Sequence, residues 1–244
     1  MQDTVETRPS VPRTARERAR AEIAHEILDA ARQHLATDGA AALSLRAIAR
    51  DLGMASSAVY RYVASRDELL TRLIIDAYDA LGAAAEAAEG AAARDDLAGR
   101  WTAVGTSVRT WALANPNEYA LIYGSPVPGY VAPPDTIAPA TRVSSLLVRI
   151  LVDAAAAGRV VPAVVEDTVG AADRSALSPI REFIGVALPD ALIQRGLMAW
   201  AALYGTVSFE LFGQLHNVVG EAPGDREAFF AECVRRWSQQ VGIA

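Results

Sequence analysis

Between Ser44 and Arg66 the chain gathers side chains suited to reversible hydrogen bonding with an anion. They are the hydroxyls of Ser44, Ser56, Ser57, Tyr60 and Tyr62 and the guanidinium groups of Arg46, Arg61 and Arg66. A hydroxyl both donates and accepts, and a guanidinium offers a planar fork of donors that fits a phosphate or the paired acceptors of a guanine edge. No histidine lies in this stretch to make a nucleophile of a serine, so the set points to recognition and not to bond-making.

Such groups work only if something holds them on one face. Leu45, Ile48, Ala49 and Leu52 recur at helical spacing, Ser44 stands where an N-cap oxygen belongs, and Gly53 follows the last apolar position. A turn is expected at Gly53-Met54-Ala55, ahead of a second helix from Ser56 to Val63. There Val59, Val63 and small Ala58 supply the inward side, leaving Ser56, Ser57, Tyr60 and Arg61 facing out with Tyr62 at the margin. A short helix with that outward face suits the major groove of DNA. Ser65, with Glu68 three residues on, reads as the capping box of a third helix. The three segments together read as a helix-turn-helix.

Composition narrows the alternatives. The chain has 244 residues, 52% of them hydrophobic, enough to bury one large core or two modest ones. It reads as a soluble cytoplasmic protein: no basic-apolar-small leader opens it, and residues 1–15 are expected to form a disordered basic arm. All 23 basic residues are arginine, which reads as a genome-composition bias. The net charge of −6 at first argues against a nucleic-acid partner, but residues 13–72 carry ten arginines against eight acids while residues 81–244 carry twelve against seventeen. The basic excess thus lies where the motif lies. Arg13, Arg16, Arg18 and Arg20 precede the first helix and could reach phosphates or a minor groove; a solvated, charged helix start is the alternative.

Enzymatic chemistry finds little to stand on. His25, His34 and His216 are scattered, and neither a metal-ligand spacing nor a glycine-rich phosphate loop is present. Cys233 is alone, so neither a disulfide framework nor a metal-binding cysteine pair can be built. No cofactor or metal is expected.

The rest of the chain predicts an all-α fold. Residues 16–37 place Ile23, Ile27, Leu28, Ala31 and Leu35 on one face, and Gly39 ends that helix. A longer helix is expected over 66–82, closing a helix-turn-helix DNA-binding domain of residues 16–82, and the alanine-rich stretch after it reads as a connector. A second domain, residues 95–244, would hold helices near 95–114, after Asn115-Pro116 and over 140–157. Between and beyond them come a Pro/Gly-rich loop at 124–139 and broken helical pieces over 158–189. Residues 190–218 are apolar almost all round, but Glu210 and Gln214 within and Arg195 and His216 at the flanks exclude a membrane span. Such a helix is buried on several sides, here by its own domain and a second subunit. Residues 224–241 would be its companion, and Phe212, Phe229, Phe230, Cys233 and Trp237 are the expected dimer interface in a four-helix arrangement across a twofold axis.

The N-terminal 80 residues resemble the DNA-binding domain of the TetR family of bacterial transcriptional regulators. The resemblance rests on Ile27, Ala30, Ala31, Gly39, Ser44, Ile48, Ala49, Gly53, Tyr60, Val63, Arg66, Glu68 and Leu69. It departs from the commonest pattern at Val63, usually phenylalanine, and Arg66, usually lysine. More weakly, Pro116, Tyr119, Trp200, Tyr204 and Gly205 resemble one branch's regulatory domain. The resemblance implies a homodimeric repressor that binds a palindromic double-stranded DNA operator and lets go when a small molecule enters the C-terminal domain. Carried over, Ser44, Tyr60, Tyr62 and Arg66 would hold phosphates, while Ser56, Ser57 and Arg61 would face base edges. Arg61 as another phosphate contact or a solvent-facing group is an equal reading.

An effector pocket would be lined by aromatic and aliphatic groups such as Trp101, Val104, Val108, Trp111, Tyr119, Tyr123, Leu147, Leu151, Trp200, Tyr204 and Val207, each of which could equally be plain core. Glu210 and His216 are candidates for polar fixtures of a pocket, or for a salt bridge across the dimer. The rival reading is a DNA-binding dimer whose C-terminal domain only dimerises or binds a protein partner. A cavity against a fully packed core separates the two.

Overall fold

A computed structural model describes residues 14–161, 171–222 and 224–243, and among these every regular element is helical. Most of the expected N-terminal arm, Arg13 included, and part of the broken region over 158–189 lie outside the described residues. Helix α1 spans Ala15–Asp38, α2 Leu45–Asp51, α3 Ser56–Val59 and α4 Arg66–Ala91. There follow α5 Leu97–Ala114, α6 Pro116–Tyr123, α7 Ile137–Ala140, α8 Arg142–Ala156, α9 Ala171–Ala176, α10 Ser178–Ile184, α11 Asp190–Leu211 and α12 Asp225–Gln240.

Two compact units emerge. One comprises the described residues through Leu73 with Val127–Val131; the other comprises Ile74–Pro126 and the described residues from Ala132 onward. In the first, Ile27, Ala31 and Leu35 of α1, Leu45 and Ile48 of α2, Val59 of α3, and Leu69 and Leu70 of α4 are buried together with Val63. Each buried valine, leucine or isoleucine side chain contributes roughly 1.5–3 kcal/mol. Thr14 caps α1 by accepting from the Glu17 amide at 3.2 Å, and Glu17 accepts from the Thr14 amide at 2.9 Å, a capping box that sequence inspection missed. Arg16, Arg18 and Arg20 therefore lie inside α1, not ahead of it.

The second unit is a bundle. Its core draws on α5 (Trp101, Val104, Val108), α6 (Tyr119), α8 (Leu146, Leu147, Ile150), α11 (Leu203, Tyr204, Val207) and α12 (Phe230, Val234). The stretch read as a connector after residue 82 is helical as far as Ala91, because alanine and glutamate propagate a helix and the lone Gly90 does not stop it. The loop expected over 124–139 holds a 3-10 turn at Pro134–Thr136 and the short α7. The apolar helix expected to 218 ends at Leu211.

A buried ion network joins α4, α5 and α8. Arg100, with no exposed side-chain surface, donates to Glu89 at 2.7 Å and pairs with Asp153 at 2.8 Å, and Arg94 bridges the same two acids at 2.7 and 3.2 Å. Burial pushes the Glu89 carboxyl up, but the Arg100 hydrogen bond and the charges of Arg100 and Arg94 outweigh it and hold the group below its ordinary value.

Candidate nucleic-acid interface and internal cavity

The turn between α2 and α3 needs a residue that tolerates the left-handed region, and Gly53 supplies it at φ +63°. Met54 N–H then donates to Ala49 O at 2.8 Å, which closes α2 and sets the direction of α3. The α-helix in the second segment is only Ser56–Val59. Tyr60, Arg61 and Tyr62 continue it as a turn, with Arg61 N–H donating to Ala58 O and Tyr62 N–H to Val59 O, three residues back. Val59 and Val63 face inward and are fully buried, as the spacing predicts.

Ser56, Ser57, Arg46 and Arg61 are exposed, and Tyr60 is 47% exposed. The other expected contact residues have work to do within the fold. Ser44 is half-buried and its oxygen caps α2, accepting from the Ala47 amide at 3.5 Å. Arg66 donates to three main-chain carbonyls, Leu43 at 3.1 Å, Ala40 at 3.0 Å and Ala41 at 3.1 Å, and so fastens the 3-10 turn Ala40–Ala42 to the start of α4. Tyr62 is half-buried beneath Arg20, whose guanidinium stands 5.4 Å over its ring. Arg20 also donates to Arg61 O at 3.1 Å, so an arginine assigned to an arm steadies the end of the α3 segment instead. His34 meets Asp51 at 2.6 Å and ties α1 to the end of α2. Ser65 Oγ accepts from the Glu68 amide at 3.0 Å, while the Glu68 carboxylate accepts at 2.6 Å from the amide of Ala64, one residue earlier than a capping box would place it. That Ala64 hydrogen bond, opposed by burial and aided by Arg72, holds the Glu68 carboxyl below its ordinary value.

The second unit holds a half-open apolar cavity of about 250 Å³ among α5, α8, α10 and α11, with Phe183 and Trp200 exposed at its mouth. Of the residues expected to line a pocket, Trp101, Leu147, Leu151 and Trp200 do so. Val104, Val108 and Val207 are fully buried core. Trp111 lies half-buried in a shallow groove beside Ala84 and Ala88. Tyr119, Tyr123 and Tyr204 form, with Tyr78, a packed aromatic cluster: the Tyr123 and Tyr204 ring centroids are 4.3 Å apart, those of Tyr119 and Tyr123 5.1 Å, and Tyr119 Oη reaches Tyr204 O at 3.2 Å and Ser208 Oγ at 2.9 Å. Burial pushes the Tyr123 and Tyr204 hydroxyls far up, so both stay neutral.

Sequence reading missed most of the lining, ten of the fourteen residues. On α8, Ser144, Leu147, Val148 and Leu151 share one stripe, and stepping back one helical turn from Leu147 and Val148 would have found Ser144. Ile193, Gly196, Leu197 and Trp200 of α11 repeat the pattern. The α10 wall, Ile180, Phe183 and Ile184, was hidden by the prolines and glycines around it.

Arg142, between the lining residues Thr141 and Ser144, anchors this wall to α4. It donates to both Glu86 oxygens at 2.9 and 2.6 Å and to Asp79 at its carboxylate, 2.8 Å, and its carbonyl, 2.9 Å. The guanidinium holds the Glu86 carboxyl below its ordinary value. The arm of Arg142 crosses α4 at Gly82, where an added Cβ would stand 2.7–2.9 Å from it.

Glu210 finds its partner within the chain. Arg109 forks onto both of its oxygens at 2.7 and 2.6 Å while lying 5.4 Å over the Phe230 ring. His216 pairs with Glu221 at 2.5 Å on the surface. Of the expected interface residues, Phe212 and Phe229 are exposed. Phe230 is instead buried in its own unit's core, edge-on to half-buried Trp237 at 6.0 Å, because α12 turns that stripe toward α5. Cys233 is half-buried and burial pushes its thiol up. On α11 the exposed apolar surface runs through Met198, Ala201 and Phe209, with Gly205 half-exposed on the same stripe.

Two family profiles match the chain. "Bacterial regulatory proteins, tetR family" covers residues 27–73, and "Tetracyclin repressor-like, C-terminal domain" covers residues 101–237. The HTH-type transcriptional regulator Rv1816 of Mycobacterium tuberculosis (strain ATCC 25618 / H37Rv) is 44% identical over 199 residues, 80% of this chain and 83% of its own. Mb1846 of Mycobacterium bovis, also an HTH-type transcriptional regulator, matches to the same extent, 44% over 199 residues. Among solved structures the chain is similar to SCO4313, described as a regulatory protein, with a TM-score of 0.73 at 38% identity over 92% of this chain and 98% of that one.

Proposed function

The chain belongs to the TetR family of bacterial transcriptional regulators, a family of DNA-binding proteins and not of enzymes, and on that footing we propose a ligand-responsive repressor. It binds a palindromic operator as a homodimer in the cytoplasm and releases it when a small apolar or aromatic molecule occupies the second unit. The observation that carries this reading is the apolar cavity of about 250 Å³, walled by α5, α8 and α11, which also make the unit's core, and by α10. It favours an effector over a C-terminal unit that only dimerises.

The DNA side rests on the exposed row Ser56, Ser57, Tyr60 and Arg61, with Arg46 exposed on α2. Phosphate contacts from hydroxyls set register, and Arg61 is the group fitted to read a guanine edge. A second copy of the chain covers the exposed Met198, Phe209, Phe212 and Phe229, with Ala201 and Gly205 allowing close helix approach. Operator half-sites one helical turn apart, roughly 34–36 Å, tolerate little change in dimer geometry. Helix α4 begins in the DNA-binding unit and ends in the effector unit, where Arg142 grips it from the first turn of the pocket helix α8. A ligand that prefers one setting of that grip shifts the dimer by its differential affinity for the two states.

Footprinting of the purified protein on the DNA upstream of its own gene, at stated salt, tests the reading. A protected palindrome that is lost on adding a cavity-sized apolar compound supports it. A palindrome that no compound releases returns the C-terminal unit to dimerisation or a protein partner.

A further inference from the structure

Resting on the effector reading above, we propose that the cavity takes an electrically neutral, mainly hydrocarbon molecule of about ten non-hydrogen atoms bearing a single hydrogen-bonding group, a phenol or alcohol, with that group at Ser144. Size comes first: a dry apolar cavity of about 150 Å³ holds benzene, so the volume of about 250 Å³ found here fits about ten such atoms. Charge comes second. None of the described lining residues is ionisable, and Arg142, next in sequence to Thr141, is turned away onto Asp79 and Glu86. A carboxylate or ammonium seated against that lining would lose part of its hydration with no counter-charge among the described residues to replace it.

The polar groups of the described lining are few, the indole N–H of Trp101 and of Trp200 and two hydroxyls, and only the hydroxyls can also accept. Two hydroxyls border the space, Thr141 and Ser144. Thr141 already gives its proton to carbonyls of its own chain, Ile137 at 3.0 Å and Ala138 at 3.1 Å. The Ser144 hydroxyl makes no hydrogen bond with the described residues and is left to donate to, or accept from, a guest. The rest of the described lining is aromatic and aliphatic, Trp101, Phe183 and Trp200 among them, which suits an aromatic body.

Titration calorimetry on the full-length protein with four probes tests this: 4-butylphenol, butylbenzene, and the matched pair 4-propylbenzamide and 4-propylbenzoate. The expected result is binding of the phenol and the amide, with the carboxylate at least tenfold weaker than the amide. Ser144→Ala, with an unchanged melting temperature, should weaken the phenol about fivefold, in line with one hydrogen bond, and leave butylbenzene unchanged. Equal affinity for amide and carboxylate, equal loss for phenol and butylbenzene in Ser144→Ala, or no binding by any probe would each overturn the proposal. A parallel operator-binding assay keeps the two readings apart. Compounds that bind in this order without altering DNA affinity leave the ligand class standing and sink the effector role.

Discussion

Arg61 and Arg66 stand five positions apart and answer to different partners. Arg61 is exposed and is the proposed DNA contact, whereas Arg66 donates to three carbonyls in and beside the 3-10 turn, of which that of Ala40 also accepts from the Leu43 amide. Replacing Arg61 or Tyr60 with alanine should weaken operator binding by roughly 1–3 kcal/mol without moving the melting temperature. Arg66→Ala should instead destabilise the fold by roughly 1–3 kcal/mol, read as a lower denaturation midpoint. Unchanged operator affinity in the first pair, or unchanged stability in the second, would reverse these assignments. The sequence marks which residue types surround the turn. It does not say which acceptor each donor meets, because the carbonyls of Ala40, Ala41 and Leu43 become available to Arg66 only once α1 and α4 have come together.

At the scale of elements, α4 is the piece that sequence punctuation misjudged. Its alanine and glutamate run resembles a linker in composition, yet Asp79, Gly82, Glu86 and Glu89 make it the seat for Arg142 and Arg100. Arg142→Ala, or Gly82→Ala, which crowds the same arm, should leave DNA affinity in place and blunt effector release, measured as the ligand concentration that half-dissociates the operator complex. A normal response in both variants would remove α8 from the coupling route. The Glu89 network predicts pH behaviour. Because Glu89 is held below its ordinary value of 4.5, its stabilising contribution is complete above that value and is lost as the pH falls through the lower folded one. Acid titration of unfolding should therefore show a limb below about pH 4.5 that flattens in Glu89→Gln. The variant should also lose stability at neutral pH, by about 1–3 kcal/mol, since Arg100 would keep Asp153 but lose its charged bond to Glu89. An unaltered acid limb would assign the acid sensitivity elsewhere.

For the molecule as a whole the open question is what covers Phe209, 54% exposed, and its neighbours on α11 and α12. Phe209→Glu and Phe229→Glu should yield monomers in sedimentation and lose palindrome protection together, while the helical content stays. Dimers that persist in both variants would place the interface on another face. Periodicity and caps, local properties of the chain, were enough to predict the all-α class, the helix-turn-helix with its outward Ser56, Ser57, Tyr60 and Arg61, and the burial of Val59 and Val63. The tertiary structure alone decided which apolar side chains close a core and which border empty space. Helical spacing identifies a face, but whether Leu147 meets a neighbour or a cavity depends on helices far away in sequence, and the α10 wall and the uncommitted Ser144 hydroxyl exist only through that packing.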